Sequence, residues 1–509
     1  LKICVDWRLP SYGRDPIQPK EFSTVFLRPS LAALLLISAS AAYAAPATPE
    51  GAAHLRDVFQ TYFGTTEGLI SVEPAGESYD VSIDVAPLAA FAPEGEVSFS
   101  ATPYRMTLTD QGDGIWATAQ DQAFDLTLSV PDAIELSMKV ASITGTGVFD
   151  EKLMAFVSAN YDFTDLSIDE TIGQLGKDQM KVAYRITSGH YQSQARAGAD
   201  GGVDGEISMA MNDLSEVFTI PRPLDGSSAG MKITADADSY IIEQSNTGIR
   251  TEGLYGLLAW FVAHPSPEAI TADQEGLRAL LQGGVPIFNA VELTGKLDGL
   301  RVSTQWGEFY SKTAHLVLAA NGVVKDGMFR EGLTFSGLSI PKGIAPEWAS
   351  ELLPENLSFD FSVSRFDVAT PVGMLIKAFD LTQDPPIDEA MFEALMMAFL
   401  PEGEVDITMA PGQISNDLYE LNYEGVMSAG LMGAPAGSGT ISAKGLDLVM
   451  EKLAGAPDDI KGQAIPMMAL AKGMAKAGDD GALVWEIDAR QPGKVLVNGV
   501  DVMAMAGGQ

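Results

Sequence analysis

The chain has 509 residues, of which 46% are hydrophobic and 20% are charged, proportions typical of a globular protein. Its net charge of −36 repels nucleic acid and anionic membrane surfaces, and the sequence contains no basic patch that would reverse this. The single cysteine, Cys4, excludes an intramolecular disulfide framework and a cysteine metal site. We attribute the acidity to a solvated surface that keeps the protein soluble.

Residues 25–44 have the three parts of a secretory signal peptide. Arg28 supplies the positive n-region, an apolar stretch follows, and Ala42-Tyr43-Ala44 forms a small-residue cleavage site. Residues 1–24 are polar and aperiodic, so we expect them to precede the true translation start. Cleavage would also remove Cys4 and leave no thiol. We therefore predict a protein exported to the periplasm, without a transmembrane anchor because no other apolar run reaches roughly 18 residues.

Runs that alternate apolar and polar residues recur along the chain, as expected for strands with one buried and one wet face. The clearest examples are 79–85, 124–130, 136–140, 357–363 and 405–409. Turn signals between such runs favour antiparallel connections over the crossover helices of a parallel sheet. We predict a mainly β fold (β-rich α+β) of long, curved antiparallel sheets with accessory helices.

Helical patterns are fewer than strand patterns and are confined to particular stretches. Residues 253–283 are expected to form two helices that break at His264-Pro265, the second capped by Ser266. This helical pair divides two β-rich regions, so we place a domain boundary after 284, between regions 45–284 and 285–509. The other predicted helices are 49–63, 371–379, 387–400, 446–453 and 464–477.

The last hundred residues contain several distinctive loops and helices. They include the turn at 401–404, the loop at 433–437, the segment 439–453, the Met467-Met468 helix, and the strand at 485–489 that precedes the Asn498-Gly499 turn. In these features the chain resembles an uncharacterised family of secreted alphaproteobacterial proteins, known only as a domain of unknown function. The resemblance implies an exported location and a general shape, and it assigns no catalytic, cofactor or metal residue.

One segment has the spacing of a hydrolase nucleophile. Gly226-Ser227-Ser228-Ala229-Gly230 fits the G-x-S-x-G pattern, in which a serine lies on a sharp turn from a strand to a helix. Pro221 and Pro223 interrupt any preceding strand, and 231–235 alternates as another strand where a helix is required. We therefore expect a loop here, and Ser228 is the only nominal nucleophile.

Two further groups of residues have side chains of the kinds that bind metals or act in catalysis. The four histidines, His54, His190, His264 and His315, are far apart and form no spaced metal pair. Residues 200–206 resemble the start of a calcium loop, but the EF-hand register would require Gly202 to supply a side-chain oxygen. We expect a tight turn at 200–206 and structural roles for the histidines, and we predict no cofactor.

Thirteen of the 21 methionines follow residue 370. Methionine fills irregular cores, and it also lines surfaces that adapt to variable apolar ligands. The preferred hypothesis is a non-enzymatic envelope protein that binds an apolar, lipid-like ligand or an envelope protein. The alternatives are a structural or protein-interaction module of the periplasm and, less favoured, a hydrolase that uses Ser228. No nucleic-acid partner is expected.

Overall fold

The computed structural model describes residues 46–91, 97–173, 179–221, 230–383, 386–387, 391–430 and 434–506. These residues form one open antiparallel sheet of 21 strands with accessory helices. The predicted fold class, mainly β with long, curved antiparallel sheets and accessory helices, is confirmed. Cys4 and the predicted signal peptide at 25–44 lie outside the described residues.

The first four strands are short and the next six have 16 to 19 residues each. They are β1 (Ile70–Ala75), β2 (Ser78–Ile83), β3 (Ser98–Ala101), β4 (Tyr104–Asp110), β5 (Ile115–Val130), β6 (Ile134–Asp150), β7 (Ala155–Ile172), β8 (Met180–Ala197), β9 (Val203–Ile220) and β10 (Met231–Ile249). β1 pairs with β2 and β2 with β4, while β3 and β4 pair with different parts of β5. From β5 to β10 each strand pairs with its successor.

The remaining strands extend the same sheet toward the C-terminus. Its strands are β11 (Ala290–Thr304), β12 (Gly307–Asn321), β13 (Gly327–Ser336), β14 (Asn356–Phe366), β15 (Glu404–Ser415), β16 (Glu420–Gly430), β17 (Ala436–Lys444), β18 (Lys476–Ala477), β19 (Leu483–Asp488), β20 (Leu496–Val497) and β21 (Val500–Asp501). β10 pairs with β11, so the sheet runs on from the predicted 45–284 region into 285–509. The division into two domains stays a prediction.

The helices occupy the ends of the chain and the longer connections. They are α1 (Pro49–Phe63), α2 (Thr251–Ala263), α3 (Pro267–Ala272), α4 (Gln274–Gly284), α5 (Glu347–Ser350), α6 (Ala369–Ala378), α7 (Met391–Phe399), α8 (Leu446–Leu453), α9 (Asp458–Met474) and α10 (Val502–Ala506). The predicted helices 49–63 and 446–453 have the observed bounds of α1 and α8.

Two helix predictions need correction. The second helix of 253–283 is two helices, because Asp273 ends α3 and its carboxylate accepts from Gly276 N at 3.2 Å, which caps α4. The first break is as predicted, and Ser266 Oγ accepts from Ala269 N. The predicted helix 464–477 begins earlier, at Asp458, and 476–477 form β18. Gly462 and Pro466 weaken the helical pattern of α9, which hid its true start.

Five helices contact one another in a row: α1, α2, α4, α6 and α7. Because this row lies along one end of the strands, we call its members the rim helices. In an antiparallel meander every second connection lies at the same end of the strands, which places the β10–β11 and β14–β15 connections together. Tyr62 and Tyr255 join α1 to α2 with ring centroids 5.1 Å apart. Arg278 joins α4 to α6 by donating to the backbone oxygens of Ile376 and Phe379 at 3.1 and 2.7 Å.

The largest buried cluster lies at the N-terminal end of the sheet. Leu55 and Phe59 of α1 pack against Val81, Leu108 and Phe149, all of which are at most 4% exposed. At the other end Trp485 of β19 donates its indole N–H to Ala471 O in α9 at 2.7 Å. Helices therefore cover both ends of the sheet.

Candidate ligand-binding face

One face of the sheet is apolar along nearly its whole length. Residues opposite each other in an antiparallel pair have side chains on the same face, so the register follows a face from strand to strand. One row contains only apolar residues and glycine from β6 to β19: Ile143, Phe163, Gly189, Met211, Tyr240, Leu297, Ala314, Phe335, Leu357, Ile414, Leu421, Ala443 and Leu483. At about 4.8 Å between neighbouring strands this row is roughly 60 Å long. We call the surface that carries it the apolar face.

The neighbouring row, on the opposite or polar face, has a different composition. It contains Thr144, Asp162, His190, Ala210, Ile241, Lys296, His315, Thr334, Ser358, Gln413, Asn422, Ser442 and Val484. Most of these side chains form hydrogen bonds readily, as expected for a face in contact with water. The alternation of apolar and polar residues within each strand therefore gives the sheet one apolar face and one polar face.

The alternation changes phase along a line that crosses the long strands. In β7 both Phe163 and Leu166 lie on the apolar face, although they are three residues apart, and both pack on the same buried cluster. Asp165, which lies just before Leu166, has a φ of 50° in the left-handed region. The same change occurs at Asp213 of β9, with a φ of 51°, and at Gly299 of β11, with a φ of 65°.

These breaks are aligned. Thr164, Asn212 and Asp298 come just before the breaks in β7, β9 and β11. They form one row across the sheet with Ser188 of β8 and Ser239 of β10, each opposite its neighbour. A break of this kind bends a strand locally, and an aligned series bends the whole sheet. We call this line the crease.

The crease is concave on the apolar side. Ile186 is 2% exposed, Ala237 3% and Met211 5%, and every hydrophobic residue of the cluster that they form belongs to strands β7–β11. Neighbouring side chains of the sheet itself must therefore exclude water from these residues. Farther toward the C-terminus the face is open, because Met409 and Met427 are 38% and 39% exposed.

The rim helices add apolar surface beside this face. Leu254, Leu258 and Phe261 of α2 follow an i, i+4, i+7 spacing that places them on one side of the helix, and each is more than 40% exposed. Leu254 also lines a cavity of about 340 Å³ with Phe59, Tyr191 and other apolar side chains at the strand ends. A volume of this size is within the range of small-molecule sites.

A small polar group interrupts the apolar face beside the crease. Glu216 of β9 lies opposite Tyr184 of β8 and Ala235 of β10. Burial raises the pKa of the Glu216 carboxyl. Burial also raises the pKa of the Tyr184 hydroxyl, with smaller contributions from Glu216 and Tyr240. The sequence did not point to this group, because its members come from three strands.

The four histidines are widely separated and have ordinary partners. His54 Nε2 lies 3.0 Å from Glu151, His190 Nδ1 2.7 Å from Asp162, and His264 Nε2 3.3 Å from Asp273. His315 lies on the polar face, opposite Lys296 and Thr334. Within the described residues, no group of three or more metal-ligating side chains is close enough to hold an ion.

The other predicted sites have mixed outcomes. Residues 198–202 form the turn between β8 and β9, in which Gly198 N donates to Gly202 O, so the turn predicted at 200–206 is confirmed for its first part. Val203 to Glu206 already belong to β9. Ser228 lies outside the described residues, while 231–235 belong to β10, the strand that the sequence predicts.

Six of the thirteen methionines after residue 370 lie at the surface. Met396, Met397, Met467 and Met503 are 50 to 70% exposed, and Met409 and Met427 lie on the apolar face. Core filling therefore does not account for these six residues.

No family model, no curated protein and no solved structure matches this chain. The resemblance to the secreted alphaproteobacterial family stays a prediction. Among the described helices, none combines the length and the apolar character that crossing a bilayer requires.

Proposed function

We propose that this is an exported, non-enzymatic envelope protein that binds an apolar, lipid-like ligand along the apolar face. The row of apolar residues from β6 to β19 carries the proposal, because it forms one continuous apolar strip across the sheet, and the same face exposes Met409 and Met427. Exposed apolar surface on a monomer rarely exceeds a few hundred Å² unless it binds something. The open side of the face, flanked by α2 and its exposed leucines, gives a ligand access from solvent.

The shape of the surface favours a long, flexible ligand. The apolar face is a continuous strip, and the one cavity described above lies at its edge. Flexible methionine side chains at Met409 and Met427 can adapt to chains of different length and saturation. A hydrocarbon chain gains free energy from burial in proportion to the apolar area that it covers, about 25 cal/mol per Å².

The proposal is tested with two matched double variants of the full chain. Met409→Lys/Met427→Lys places two charges on the apolar face, whereas Thr408→Lys/Val426→Lys places two charges on the polar face of the same two strands. Bound ligand is measured by native mass spectrometry before and after organic extraction, and apolar surface by Nile red fluorescence. We expect Nile red affinity to fall about tenfold or more in the first variant only.

Other outcomes decide against the proposal. An equal loss in both variants would show that charge alone is responsible, and an absence of bound lipid together with an absence of Nile red binding would contradict it outright. Copurification of a protein partner that the first variant loses, with no lipid mass, would favour the protein-interaction module instead.

A further inference from the structure

The apolar face carries negative charge without positive charge. On strands β5–β13 the register places three carboxylates, Glu170, Glu216 and Glu331, on this face. The described residues of the same strands place no lysine, arginine or histidine there. The basic residues lie on the polar face, where Arg185 pairs with Asp169 and Arg301 with Asp238.

Of these three carboxylates on the apolar face, Glu216 is the nearest to the buried centre of the crease. It is two residues from Leu214, which is 9% exposed, and no salt bridge to it occurs among the described residues. Tyr184 lies opposite Glu216 on the same face, and both Glu216 and Tyr240 are close enough to Tyr184 to affect the pKa of its hydroxyl. Together these groups can accept and donate hydrogen bonds, and they provide no charge that would neutralise an anion.

We infer that the apolar face selects a long-chain amphiphile whose head group carries no negative charge, and that Glu216 is the residue that determines this specificity. The inference rests on the proposed function and names its ligand class. An anionic head group beside Glu216 would place two like charges in a partly desolvated site, which weakens binding. A hydroxyl head group could instead donate a hydrogen bond to Glu216, and a hydroxyl or ester oxygen could accept one from a tyrosine.

The test compares two ligands with the same chain length, dodecanol and laurate, as competitors of Nile red on the full chain at neutral pH. We expect laurate to bind about tenfold more weakly than dodecanol. Glu216→Gln should narrow this difference to about threefold or less, chiefly by strengthening the binding of laurate. Glu206→Gln is the matched control, because Glu206 is exposed on the polar face of the same strand, and it should keep the full difference.

The outcomes separate this inference from the proposed function. If neither ligand displaces Nile red, the proposed function itself fails. If laurate and dodecanol bind equally well to the unmodified chain, the face does not select against negatively charged head groups, although it still binds lipid-like ligands. If the preference persists in Glu216→Gln, Glu216 is not the determinant. Circular dichroism of each variant verifies that the substitution leaves the fold intact.

Discussion

Leu166 of β7 and Ile186 of β8 lie directly opposite each other on the apolar face, next to the crease. Ile186 is 2% exposed, and the hydrophobic residues that pack around it all belong to strands. Burial on an otherwise open sheet requires that the sheet curve over its own residues. The crease therefore acts as a local core, and its side chains should contribute to stability as core residues do.

Ile186→Ala is expected to lower the free energy of unfolding by about 2–5 kcal/mol, because it leaves a cavity in a packed cluster. Ile241→Ala on β10 is the control, since Ile241 lies on the polar face opposite Ala210 and Lys296, and it should cost clearly less. Urea unfolding measures the free energy of unfolding of both variants and of the parent. Equal losses would show that the crease is not a core.

A second prediction concerns the left-handed residue Asp213. A β-branched side chain is strongly disfavoured at positive φ, so Asp213→Val should destabilise the protein by about 1–2 kcal/mol or more. Asp213→Gly should stay within about 0.5 kcal/mol of the parent, since glycine adopts this conformation without a Cβ penalty. Asp236→Val is a control in an ordinary strand conformation on β10. The crease assignment fails if both valine variants are equally stable.

Much of the fold could be predicted from local patterns. The runs at 124–130, 357–363 and 405–409 belong to strands, and 49–63 has the bounds of α1. Each depends on neighbouring residues alone, through side-chain periodicity or a capping residue. The crease could not be predicted from local patterns, because in β7 and β9 the apolar alternation changes phase at a single aspartate. Such a change has the same sequence pattern as the end of a strand.

The sequence could predict that an apolar surface exists, but it could not predict which residues form that surface. Half-buried strands and late methionines suggested an apolar surface. The row that joins Ile143 to Leu421 depends on the register of ten successive strand pairings, however, and no local signal specifies them all. For the same reason Tyr184, Glu216 and Tyr240 appear unrelated in the sequence.

The contact between two rim helices supplies a third prediction. Arg278 of α4 donates to the backbone oxygens of Ile376 and Phe379 and stacks over the Phe379 ring, with 4.7 Å from its guanidinium carbon to the ring centroid. Lysine cannot reproduce this planar, multidentate contact. Arg278→Lys should therefore increase hydrogen–deuterium exchange in α6 while exchange in α1 is unchanged. Equal protection of α6 in the variant and the parent would contradict this role.

The last prediction follows from the raised pKa of Glu216, which burial causes. A carboxyl whose pKa is higher in the folded state contributes stability below its unfolded value near 4.5, and this contribution is lost as the pH rises through the folded value. Glutamine never ionises, so Glu216→Gln should match the parent at acid pH and become more stable than it at neutral pH. Urea unfolding across this range measures the difference, with Glu206→Gln on the polar face as the control. A gain that is independent of pH, or equal in the two variants, would show that desolvation of Glu216 is not its cause.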